Sequence, residues 1–170
     1  QLPRLREHYN SVGNRGLFNP EAVAKAELTQ IQRFEILVAL ILSANTSDEN
    51  VKMAMKQLAS FLGGPVSPEA LLTLSEPQLA KLIRPVGVGY KRKASYLQDT
   101  ATACLHLYGG DVPQSLASVK QLKGVGPKVG NMLMQLAWGR VEGIAVDTHV
   151  HRICNRLGWV DTRNAEQTRQ

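Results

Sequence analysis

Apolar residues recur at helical spacing along nearly the whole chain, and glycine and proline stops separate the periodic stretches. Phe34, Leu37, Val38, Ile41 and Leu42 fall at i, i+3, i+4, i+7 and i+8, the spacing that lines one face of an α-helix. The run Ile36 to Leu42 is apolar on most faces, which predicts a central buried helix. Val51, Met55, Leu58, Ala59 and Leu62 repeat the pattern until Gly63-Gly64-Pro65 stops it. Ser67-Pro68-Glu69 reads as an N-cap followed by proline at the first helical position. Leu71, Leu72 and Leu74 predict one short helix, and Glu76 to Ile83 another, ended by Pro85 and Gly87. Tyr90 to Leu107 is long and amphipathic, with its stop at Tyr108-Gly109-Gly110-Asp111. Ser115 caps a short helix through Leu122, and an apolar helix from Lys128 to Trp138 ends at Gly139. Asp147 or Thr148 opens a last long helix through Leu157. Ile144-Ala145-Val146 is the one β-branched patch, too short for a sheet. The expectation is an all-α fold of roughly ten helices.

The chain has 170 residues, enough for one domain, or a main domain and part of a second. A chain of this size buries roughly 70% of its unfolded surface without a disulfide or metal staple. Hydrophobic residues make up 44% and charged residues 20%, a globular composition that excludes a disordered chain. The longest apolar run is too short to span a bilayer, and no secretory signal opens the chain. Gln1 is not an initiator methionine, so a missing N-terminal segment is expected. Asn164 to Gln170 reads as a helix cut short, the mark of a fragment. Cys104 and Cys154 lack metal-ligand spacing and predict buried free thiols in a reducing compartment. The net charge of +6 points to a polyanionic partner without separating nucleic acid from an acidic surface.

Two segments carry chemistry. In the first, Leu116 to Gly130, a short helix meets a second across Gly124-Val125-Gly126. Gly124 and Gly126 allow positive φ and close backbone approach, and Pro127 presets the next helix. Amides of such a turn and of the following N-terminus form a nest for one backbone phosphate. The alternative is a plain αα-hairpin. Lys128 falls in the first turn of the second helix, where the positive end of the dipole disfavours an ammonium. A partly desolvated neutral lysine there is a Schiff-base nucleophile; a solvated one is a phosphate ligand. In the second segment, Ile144 to Gly158, Asp147 follows a short apolar lead-in and opens a helix. It reads as an N-cap and equally as a carboxylate facing developing positive charge or relaying a proton. His149 and His151 lack the i, i+4 spacing of a metal pair and read as surface or DNA-contacting residues.

Together, Leu122-Lys123-Gly124-Val125-Gly126-Pro127-Lys128 and Val146-Asp147-Thr148-His149-Val150 resemble the endonuclease III family of helix–hairpin–helix DNA glycosylases. The resemblance runs from about Phe34 to about Trp159 and looks closest to eukaryotic members. It implies a six-helix barrel domain over 27–141, with the helix–hairpin–helix at about 116–138. It also implies an incomplete second helical domain from 1–26 and 142–170. The implied activity is excision of oxidised pyrimidines from duplex DNA in base excision repair, with the damaged base flipped out. Lys128 would attack the sugar, form a Schiff base and cut the strand by β-elimination. Asp147 would activate Lys128 and stabilise the cationic sugar, and no metal takes part. The alternatives are an 8-oxoguanine-type glycosylase of the same superfamily and a non-catalytic DNA-binding module.

The loop Leu42 to Asp48 resembles one whose glutamine fills the space left by the flipped nucleotide; here Asn45 stands there, and Asp48 reads as a helix N-cap. The stretch Val86 to Ala94 resembles a loop that wedges into the duplex. Val88 or Tyr90 would be the wedge, and Lys91, Arg92 and Lys93 would meet phosphates. His149 and the turn residues Gly124, Val125 and Gly126 complete the expected DNA face. Most members hold a [4Fe–4S] cluster in a C-terminal cysteine-rich loop. This chain has two cysteines, so no cofactor is expected in it unless a longer C-terminus exists. The expected partner is double-stranded DNA with a damaged base, met by a monomer away from membranes. The implied location is the nucleus, and the mitochondrion, for a eukaryotic chain, and the cytoplasm otherwise.

Overall fold

The computed structural model describes residues 28–170; the expected N-terminal piece of a second domain, 1–26, lies outside them. Every regular element among the described residues is helical. Helix α1 (Gln30–Leu42) starts in a capping box between Thr29 and Gln32 and buries Phe34, Ile36, Leu37, Val38, Leu40, Ile41 and Leu42. It is the central helix that its near-continuous apolar run predicts, packed against α2 (Asp48–Leu62), α5 (Tyr90–Tyr108) and α7 (Pro127–Trp138). Two short helices, α3 (Pro68–Leu72) and α4 (Glu76–Leu82), pack on α5, and a 3-10 turn (Arg84–Val86) follows α4. The glycine stops act as expected: Gly63, Gly109 and Gly139 each end a helix with left-handed backbone.

Two boundaries differ from expectation. Helix α2 is capped by Ser47, whose hydroxyl accepts from the Asn50 amide, so Asp48 is a first-turn residue instead of the cap. Helix α6 (Leu116–Val119) does not run through Leu122, because the chain turns at Lys120 while Leu122 still reaches the core. The fold ends in α8 (Thr148–Arg156) and α9 (Ala165–Arg169), which bury no residue. There His151 is not a free surface residue. Its Nδ1 lies 2.7 Å from Thr168 Oγ1 and 3.1 Å from Asn155 Nδ2, a polar cluster joining α8 to α9. Cys104 is buried as expected, whereas Cys154 is only half-buried on α8.

Two cations, one partly buried and one buried, tie distant segments together. Arg33 on α1 donates from Nε to Asp111 Oδ1 at 2.9 Å and stacks 4.3 Å from the Trp138 ring centre. Trp138 in turn donates from Nε1 to Pro113 O at 3.0 Å. The start of α1, the end of α5 and the end of α7 thus meet at one partly buried pair. Lys93 is the second cation, and it corrects the expectation of a phosphate contact. Its side chain is buried, and Nζ donates to Leu42 O at 2.8 Å and Ala44 O at 2.6 Å. Burial and the neighbouring Arg92 charge lower its pKa. The ammonium sits at the C-terminal end of α1, where unsatisfied carbonyls and the dipole favour a cation.

Candidate active site and nucleic-acid interface

The turn between α6 and α7 is built against α5. Gly124 takes φ +77°, and a Cβ there would fall 2.6 Å from Tyr96 Cδ2. Only glycine meets both conditions. Thr100 on α5 donates from its hydroxyl to Lys123 O at 3.3 Å, so Tyr96 and Thr100 hold the turn from beneath. The Val125 side chain is buried and its amide donates to Leu122 O at 3.2 Å, so Val125 shapes the turn and does not supply the expected phosphate contact. Gly126 departs from expectation: its φ is −89° with ψ −179°, extended backbone that any residue adopts. It is the N-cap of α7 and offers no side-chain cap. The first N–H groups of a helix without such a cap have no internal partner.

Lys128 is the second residue of α7. Its Nζ lies 2.9 Å from Asp147 Oδ2, with the lysine side chain 45% exposed and the aspartate 30%. The expected desolvation of the lysine is therefore not what the fold provides; it provides a carboxylate partner. Asp147 is the N-cap of α8, and its Oδ1 accepts from the amides of His149 and Val150, each at 2.9 Å. Partial burial works to raise the Asp147 pKa, but the Val150 amide, Lys128 and the His149 amide outweigh it and hold the carboxyl below its ordinary value. One carboxylate thus serves both readings of the sequence, each oxygen taking one task. Val146, just before it, is buried.

The other expected DNA-facing residues divide. Val88 is 89% exposed at a loop tip between Gly87 and Gly89, while Tyr90 packs partly against the core. Lys91 and Arg92 are exposed at the start of α5, and His149 is exposed beside Asp147. Asn45 is exposed with a left-handed φ of 55°, a conformation asparagine tolerates better than most residues. Sequence reasoning passed over Tyr96, Thr100 and Asn131. Asn131 left a readable signal, a polar residue on the apolar face of α7 among Gly130, Leu133 and Met134.

Among the described residues, no three His, Cys, Asp or Glu side chains are grouped to hold a metal. The Cys104 thiol is pushed up to about 12, first by burial and then by Asp111, which suits an inert core residue. Two separated cysteines do not supply the four thiolates of an iron–sulfur cluster, so that group does not fit the residues present. Among the described residues, no helix is long and apolar enough to cross a membrane.

A family model described as "HhH-GPD superfamily base excision DNA repair protein" matches residues 38–170. The chain belongs to this superfamily. It is 43% identical to "Endonuclease III homolog 1, chloroplastic" of Arabidopsis thaliana over 136 residues, 80% of this chain and 35% of the relative. It is 37% identical to "Endonuclease III-like protein 1" of Bos taurus over 163 residues, 95% of this chain and 50% of the relative. The chain therefore spans between a third and a half of these relatives. Its fold matches "a non-covalent Endonuclease III-DNA Complex" with TM-score 0.73 at 27% identity, covering 99% of this chain and 75% of the other. A "Trapped Endonuclease III-DNA Covalent Intermediate" matches with TM-score 0.69 at 29% identity, covering 95% and 73%. The all-α HhH-GPD glycosylase fold and the resemblance to endonuclease III, eukaryotic homologues included, are borne out.

Proposed function

We propose that the chain carries the catalytic core of a DNA glycosylase and apurinic/apyrimidinic-site lyase that removes oxidised pyrimidines from duplex DNA. The supporting observation is the 2.9 Å pair of Lys128 Nζ and Asp147 Oδ2, set where two helix N-termini converge beside a turn suited to a phosphate. The lysine nitrogen, once deprotonated, attacks C1′ of the flipped nucleotide. The C1′–N bond breaks, its electron pair leaves with the base, and the base takes up a proton. The attached nitrogen gives up one proton, the C1′–O4′ bond then breaks with its electron pair on O4′, which is protonated, and the nitrogen lone pair closes the protonated imine. Loss of the C2′ proton then expels the 3′ oxygen, which cuts the strand 3′ to the lesion. A carboxylate held below its ordinary pKa is a weak proton acceptor, so Asp147 serves chiefly as the anion facing the cationic sugar.

The remaining contacts follow from exposure. Backbone amides at Gly124, Gly126 and the start of α7 receive a phosphate; the Val125 amide is taken by Leu122 O. Val88, nearly free of protein contact, is the wedge in preference to Tyr90. Lys91, Arg92 and His149 meet the backbone, and Asn45 faces the opened duplex. Of the described residues, 28–141 form the barrel domain and 142–170 belong to a second one. The partner is damaged double-stranded DNA, bound by a monomer. The compartment is the nucleus or mitochondrion for a eukaryotic chain, and the cytoplasm otherwise.

Borohydride trapping on a thymine-glycol duplex tests the reading, with a longer protein that includes this chain assayed alongside. Wild type should give a covalent adduct and Lys128→Gln none. No adduct from either wild-type protein, or an adduct from Lys128→Gln, would remove the lysine mechanism.

A further inference from the structure

Asn131 lies one turn beyond Lys128 on α7 and is 3% exposed. Its Nδ2 donates to Pro127 O at 3.0 Å and to Ile144 O at 3.3 Å. With two carbonyl oxygens on that side, the amide orientation is settled by its partners. One acceptor is the residue before Lys128; the other lies three residues before Asp147. The side chain therefore bridges the helix that carries the lysine and the loop that carries the aspartate. Its Oδ1 is buried and has no hydrogen-bond partner among the described residues. That oxygen faces Gly143, where a Cβ would fall 2.8 Å from Oδ1 and 3.3 Å from Cγ. Gly143 lacks a positive φ, so its backbone does not need glycine; the approach of Asn131 does.

We propose that Asn131 is a positioning residue for the Lys128–Asp147 pair, fixing the aspartate loop to the lysine helix through its two donors, with Gly143 as the gap that admits it. An apolar residue of similar size would fill the space as well and would leave Pro127 O and Ile144 O unlinked. A buried amide with an unpartnered oxygen is costly to keep, and what it provides here is a set distance between two reacting groups. The distance matters because misplacement by about 1 Å costs on the order of a hundredfold in rate. The proposal rests on the lysine reading for its chemical consequence but not for its geometry.

The experiment compares the full chain with Asn131→Ala, Gly143→Ala and the double variant. Three quantities are measured: the carbon-13 titration of the Asp147 carboxyl, duplex affinity, and the borohydride trapping rate at saturating protein on an abasic-site duplex. Asn131→Ala should slow trapping at saturation by about ten- to a hundredfold and move the Asp147 titration upward, with duplex affinity unchanged. Gly143→Ala keeps both donors but presses on Oδ1, and should act in the same direction more weakly. In the Asn131→Ala background it should have no further effect, since its obstacle is gone. A purely structural asparagine would lower the melting temperature and leave titration and saturated rate alone. That result, or additive single effects, would overturn the proposal. If Asn131→Ala does not fold, an unchanged Asp147 titration in Gly143→Ala overturns it. A shifted titration without any wild-type adduct upholds the positioning role and removes only the lysine chemistry.

Discussion

Helices α7 and α8 begin in opposite ways within reach of each other. Gly126 starts α7 with no side-chain cap, whereas Asp147 starts α8 and receives the amides of His149 and Val150. Both starts carry the same dipole. One has its donors satisfied from within; the other leaves them for whatever anion arrives. Because Oδ1 of Asp147 does the capping, Oδ2 is left for Lys128, and the carboxylate is held still by the helix it begins. The uncapped start leaves its donors open to the phosphate proposed above, and the capped start is ready beforehand.

The largest expected effect separates cap from charge at α8. Asp147→Ala removes both and should slow trapping by about a hundred- to a thousandfold while lowering unfolding free energy by about 1 kcal/mol. Asp147→Asn keeps an oxygen for the amides, so the rate should fall similarly while stability falls by only a few tenths of a kcal/mol, roughly. Near-normal trapping by Asp147→Asn would show that the charge is not the agent.

Next come the two glycines of the other start. Gly124→Ala forces a side chain into a left-handed backbone and onto the Tyr96 ring, and should cost about 2–3 kcal/mol in urea unfolding. Gly126→Ala meets extended backbone and nothing within 4 Å, so stability should change by only about 0.5 kcal/mol. Duplex affinity should nevertheless fall by about tenfold, since the new methyl stands beside the amides proposed to receive a phosphate. Wild-type affinity in Gly126→Ala would mean that the uncapped start holds no anion.

The smallest effect is on acid stability. The Asp147 carboxyl titrates lower in the fold than in the open chain. Its contribution is thus complete above the ordinary carboxylate range and is lost as pH falls through the folded value. The melting-temperature difference between wild type and Asp147→Asn should shrink over that interval. A difference that persists in acid would place its origin elsewhere than in the ionised cap.

Most of the helical plan was legible because local rules govern it: apolar spacing marks each buried face, and Gly63, Gly109 and Gly139 end helices by backbone freedom. Lys128 and Asp147 were legible as motif residues, each with two readings, and only their side-by-side placement joins those readings. Lys93 was misread as one of three exposed cations. The correcting signal was present, since Lys93, Leu97 and Ala101 share one face of α5 at i, i+4 and i+8, and all three are buried. The Arg33–Asp111 pair links positions 78 apart, and no local pattern announces it. Gly126 looked like a conformational glycine because its neighbour is one, yet its backbone is ordinary.

The buried Lys93 also bears on how the molecule would measure DNA. One ammonium grips the carbonyls of Leu42 and Ala44, immediately before the exposed Asn45, and it stands five residues after the exposed Val88. The two tips proposed to probe the duplex therefore hang from a common rivet. On that reading a change at Lys93 would disturb both tips at once, since the ammonium that holds one loop belongs to the helix that follows the other.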